Sequence, residues 1–159
     1  MDNIRGDLGN ISNSIHPNSI AGRNFHYVQI DDNRPIVNRL SAGWRFSASA
    51  TQFTLNGTSG AKTLLTLGVP DIFNSNDTKP DDKSPNGEFI AVTSPTQLTS
   101  NPTILVRANQ GFGYGITSIN FPDNTTILTL LDNVASIVQP GDTYKSTITW
   151  TVQQAQSNQ

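Results

Sequence analysis

Few residues in this chain could do covalent chemistry. His16 and His26 are the only imidazoles, and a hydroxyl nucleophile would need one of them as its base, with a third group to orient it. His16 precedes Pro17 in a polar stretch, and His26 falls within a strand-like run. Neither lies beside a nucleophile motif, and the sequence contains no G-x-S-x-G. Paired carboxylates can do acid–base work on sugars, and Asp31-Asp32 and Asp81-Asp82 are adjacent pairs. Neighbours in a strand point to opposite faces, so adjacency alone builds no site. The single glutamate, Glu88, follows a Pro-Asn-Gly turn. The run Asn74 to Asp82 has the oxygens of a calcium loop, but not the alternating order with a glycine at the bend. There is no cysteine, which removes thiolate chemistry, disulfides and cysteine-ligated metals. The expectation is a non-catalytic protein without metal or cofactor. Asp31, Asp32 and Arg34 read instead as a local ion pair or turn, an exposed arrangement contributing about 0–1 kcal/mol.

Binding chemistry has better candidates. Gly111-Phe112-Gly113-Tyr114-Gly115 alternates glycine with aromatics. As the start of a strand from Phe112 to Phe121, it would put both rings on one face. Exposed, such a pair stacks on sugar rings; buried, it fills the core. The only two tryptophans pose the same alternative. In Trp44-Arg45-Phe46-Ser47-Ala48 and Ile148-Thr149-Trp150-Thr151-Val152, strand alternation places each tryptophan on one face with its apolar partner. Thr147, Thr149 and Thr151 share the other face. Alternation ordinarily buries the apolar face, while an exposed one would mark a binding surface. Four N-x-S/T sequons, at Asn10, Asn56, Asn76 and Asn124, are expected by chance in a chain rich in Thr and Asn.

These segments, taken in order, resemble the WxL domain of Gram-positive surface proteins. Ile30-Asp31-Asp32-Asn33-Arg34 is similar to the family's V-x-D-x-R strand end. Gly43-Trp44-Arg45-Phe46-Ser47-Ala48-Ser49 followed by Phe53 resembles its GW-x-L-x-V-S…F segment. Ile127 to Leu130, then Gln139-Pro140-Gly141-Asp142-Thr143-Tyr144 and the strand through Trp150, resemble its G-x-Y-x-x-x-L-T-W-x-L ending. Phe46 and Val152 stand where the family usually has Leu, and Ala48 where it has Val. The resemblance implies non-covalent attachment to the cell wall, with peptidoglycan as the proposed ligand, beside partners of the WxL-interacting family. It implies an extracellular location on a Gram-positive surface. Trp44, Phe46, Trp150 and Val152 would carry the site directly or scaffold it. Asp31, Asp32, Arg34, Phe112 and Tyr114 are accessory candidates. A protein–protein module that binds a surface partner rather than glycan stays open.

The elements that must position these residues follow from composition. A chain of 159 residues suits one domain. Its net charge is −2 and its ten basic residues form no run, which argues against a nucleic-acid partner. No apolar stretch approaches the roughly 20 residues of a membrane span. Met1-Asp2-Asn3 is polar and acidic, unlike a secretion signal, so a secreted protein starting here would be a mature portion. Helix-forming Glu and Met occur once each, while Thr, Ile and Val favour strands. The expected fold is all-β with little helix, a single β-sandwich of Ig-like or Greek-key type. Residues 1–24 read as a polar, partly loose segment, 25–152 as the β domain and 153–159 as a polar tail. Asn56-Gly57 predicts a tight hairpin turn, and Pro70 to Gly87 a surface loop.

Overall fold

Short apolar runs broken by Gly, Asn and Pro give a succession of strands rather than helices. The computed structural model describes residues 4–8, 25–34, 43–61, 63–79, 82–122, 127–130 and 141–155. Among them are fourteen strands and no helix. In order they are β1 (Ile4–Leu8), β2 (Phe25–Asp32), β3 (Trp44–Ala50), β4 (Phe53–Leu55), β5 (Thr58–Ala61), β6 (Thr63–Leu67) and β7 (Asp71–Asn74). Then come β8 (Phe89–Ala91), β9 (Thr96–Gln97), β10 (Thr103–Ala108), β11 (Gly115–Pro122), β12 (Ile127–Leu130), β13 (Tyr144–Lys145) and β14 (Ile148–Gln154).

Two four-stranded antiparallel sheets, ordered β1-β2-β11-β7 and β14-β3-β10-β8, share one apolar core as a sandwich. Period-2 alternation supplies that core. Val28 and Ile30 of β2, Ile72 of β7, and Ile119 and Phe121 of β11 come from the first sheet. Trp44, Phe46 and Ala48 of β3, with Val106 and Ala108 of β10, come from the second. Ile148, Trp150 and Val152 of β14 pack half-buried against it. Two three-stranded sheets, β12-β6-β9 and β13-β4-β5, complete the fold. Asn56 (φ 48°) and Gly57 (φ 82°) form the expected tight turn. Both have positive φ, as a type I′ hairpin requires.

Three local expectations are corrected. β1, in the stretch read as polar and loose, pairs along its whole length with β2. The stretch Pro70 to Gly87 is not all loop: β7 lies inside it, with Ile72, Phe73 and Asn74 buried, paired to β11. Two adjacent apolar side chains suffice when a neighbouring strand supplies the rest of the ladder. The run from Phe112 to Phe121 is strand only from Gly115, because Gly111, Gly113 and Gly115 all adopt positive φ and turn the chain.

Candidate functional site

The core face of β2 continues from Val28 and Ile30 to Asp32, which is fully buried. Burying a lone carboxylate is costly, and Arg34 supplies its partner. Arg34 Nε donates to Asp32 Oδ1 at 2.7 Å and Nη2 donates to Oδ2 at 2.6 Å. Arg34 is itself only 7 % exposed. The exposed ion pair expected from the sequence is therefore corrected: it is buried and bidentate, because Asp32 falls on the inward side of the alternation. Arg34 Nη2 also donates to the Gly43 carbonyl at 2.8 Å. The pair thus ties the end of β2 to the residue before Trp44. Asp31, on the opposite face of β2, is half-buried and takes no part in this pair.

Trp44 is fully buried, as is Phe46. Its ring lies against Phe89, with centroids 5.8 Å apart, and its Nε1 donates to the Gly113 carbonyl at 3.0 Å. Gly113 adopts φ +78°, and a Cβ there would lie 2.5 Å from Trp44 Nε1 and from Ala108 Cβ. Only glycine lets the loop settle onto the indole.

That loop carries Phe112 and Tyr114, exposed by 40 % and 37 %, followed by Ile116 at 43 %. Its backbone is held from several sides. Phe112 N donates to Asn109 O at 3.0 Å. The Tyr114 carbonyl accepts from Asn74 Nδ2 at 3.1 Å and from Asn76 Nδ2 at 2.6 Å. Ser75 Oγ accepts from Ile116 N, and Ser75 N donates to Ile116 O. The Asn74-Ser75-Asn76 run that resembled part of a calcium loop is thus occupied in clamping the aromatic loop. Among the described residues no cluster of three or more His, Asp or Glu could hold a metal. Beside this loop, burial pushes the Glu88 carboxyl up to about 7, helped by a hydrogen bond to Asp77 and by its negative charge. Asp77 also accepts from Ser84 Oγ at 2.6 Å.

The second tryptophan is placed differently. Trp150 is half-buried and stacks on Phe46, with centroids 5.4 Å apart and planes 9° from parallel. It also lies 6.0 Å from Phe121 of the facing sheet. Val152 is likewise half-buried and pairs with Phe46 in register. At this end of β14 lies an open cleft of about 640 Å³, with Phe53, Leu65 and Ile148 as apolar lining and Thr51, Ser146 and Lys145 among its polar groups. Thr51 Oγ1 accepts from Thr147 N at 2.9 Å, and Ser146 Oγ donates to Thr51 O at 2.7 Å.

Sequence reasoning missed Gly113 as the seat of Trp44, and Asn74 and Asn76 as the clamp. A turn-prone Asn-Ser-Asn run was visible, but its target lies about forty residues away. His16, Asp81, Asn10 and Asn124 lie outside the described residues, and His26 is described only as part of β2.

A family model for the WxL domain, described as surface cell wall-binding, matches residues 12–155. No curated protein and no solved structure matches the chain significantly.

Proposed function

The chain belongs to the WxL family of surface cell wall-binding domains, and from that premise we propose that it is a non-catalytic module holding its protein non-covalently on the peptidoglycan of a Gram-positive cell. Trp44 and Phe46 have no solvent-facing surface, so in this proposal they scaffold the site rather than touch the ligand. Trp150 and Val152 brace the same core from β14. The contact falls to Phe112 and Tyr114, with Ile116 beside them.

One observation carries this assignment: the buried indole of the first tryptophan motif donates to the loop that presents two exposed rings. Rings held in a fixed loop lose little freedom on contact with a sugar face, and preorganisation of that kind favours affinity. Asp32 and Arg34 act from below, by fixing Gly43 and so the start of β3. Proteins of the WxL-interacting kind are the expected partners in surface assemblies.

Co-sedimentation with protein-free Gram-positive sacculi tests the proposal. Saturable pelleting of the wild type is expected. The double change Phe112→Ala and Tyr114→Ala should weaken it roughly tenfold or more while leaving the melting temperature near wild type, since both rings are partly exposed. A folded wild-type domain that stays in the supernatant would remove direct wall binding and leave a surface protein as the anchor.

A further inference from the structure

Between the two apolar residues of the first tryptophan motif stands Arg45, and alternation turns it to the outer face of the β14-β3-β10-β8 sheet, opposite Trp44 and Phe46. Register puts Arg107 of β10 directly across from Arg45. Two like charges opposite each other on one sheet face destabilise the pairing unless something neutralises them. Nothing in the described structure does. Neither guanidinium makes an ion pair or hydrogen bond with a described residue. Glu88, just before β8, is engaged with Asp77 instead.

The surroundings are polar on the β14 side, whereas toward β8 Arg107 pairs with Ile90, exposed by 56 %. Gln153 pairs with Arg45 on its other side, and Thr151 pairs with Ser47 and Thr149 with Ser49 along the same face. Arg107, Gln153 and Thr149 are exposed and Arg45 is half-buried. A planar guanidinium presents donors in a fork that fits the paired oxygens of a carboxylate or phosphodiester. Two forks side by side, followed by the hydroxyls of Thr151, Ser49 and Thr149, with Ser47 buried beneath, suit an acidic group on a hydroxyl-rich chain. Charge complementarity therefore selects an anionic saccharide or polyol polymer as occupant.

We propose that Arg45 and Arg107 form an anion-binding site on this sheet face, occupied by acidic groups of the wall polymer. This rests on the wall-binding assignment above and names a second contact for it, separate from the aromatic loop. The anion has two sources, the carboxylates of peptidoglycan stem peptides and the phosphodiesters of polymers linked to it.

The test compares pelleting of the wild type and an Arg45→Gln, Arg107→Gln double variant. Each is mixed with intact walls and with acid-extracted walls lacking phosphodiester polymers, at low and high salt. Parallel titrations use soluble muropeptides and a short glycerol phosphate oligomer. The double variant is expected to bind walls roughly tenfold or more weakly, the scale of losing charge-assisted contacts. Its salt dependence should largely vanish, while its melting temperature stays level or rises as the repulsion is relieved. Arginine-dependent binding to both wall types identifies carboxylates as the anion; binding only to intact walls identifies phosphodiesters. Equal binding by variant and wild type, at every salt, overturns the arginine site and leaves wall binding intact. If the wild type pellets with neither wall yet binds a soluble probe through the arginines, wall attachment falls and the anion site stands. If it binds neither wall nor probe, both fall.

Discussion

The two ends of β3, roughly 20 Å apart, are built on different terms. At the Trp44 end the side-chain ties to the start of β3 are buried: the Asp32–Arg34 pair, the Arg34 bond to Gly43 and the indole bond to Gly113. At the Ala50 end the ties are exposed hydroxyls and backbone groups joining Thr51 to Ser146 and Thr147 around an open cleft. The number of hydrogen bonds is similar, but their energetic worth is not. A buried bond, if broken, leaves a polar group without water, whereas an exposed one is replaced by solvent. The end that shows aromatic rings to the outside is therefore the end with the stiffest foundation.

Trp44→Ala tests that contrast most severely. It removes a fully buried indole and should cost about 3–5 kcal/mol, enough to unfold much of the population in a urea melt. Asp32→Ala follows, leaving Arg34 as a buried cation without its carboxylate. About 3 kcal/mol is expected for breaking such a pair from one side, and Asp32→Asn should be milder. If either change proves nearly neutral by chemical denaturation, the Trp44 end is not the stiff one.

At the opposite end, Thr51→Val removes the acceptor of the Thr147 amide without changing shape much. Since this site is exposed, the melt should shift by less than about 1 kcal/mol. The last test concerns Glu88 and is read only as a dependence on pH. Its carboxyl is pushed up to about 7 in the folded protein, so the native state holds a proton that the unfolded chain has already released. The stability tied to that proton is present below the ordinary glutamate range and is lost as pH rises toward about 7. Thermal melts across this window should fall less steeply with pH in Glu88→Gln than in the wild type. Identical slopes would rule out proton uptake at this position.

Part of this asymmetry was legible in the sequence and part was not. Alternation in Trp44-Arg45-Phe46 and Ile148-Thr149-Trp150 gave the inward faces of β3 and β14, because a period of two is a local property. Asn56-Gly57 gave its turn for the same reason. The depth of Asp32 was not readable, since a charged residue on an inward phase ordinarily signals the end of a strand. Nor was the posture of Phe112 and Tyr114, whose loop takes its shape from Asn74, Asn76 and Trp44, all distant in sequence. β1 and β7 went unread because each is short and gains its strand character from the neighbour it pairs with.

The pairing of β3 also dictates when the molecule can assemble. Its two neighbours in the sheet are β10 and β14, the latter reaching Gln154. The strand bearing Trp44 is made about a hundred residues before β14 and acquires its second neighbour only once β14 is available. Closing such distant contacts is slow, because loop entropy is lost before contact energy is gained. A chain emerging from its point of synthesis or export therefore cannot complete this sheet until β14 is free. Its tryptophan strand must wait with one edge open, the interval in which mispairing with a neighbouring copy is the chief hazard.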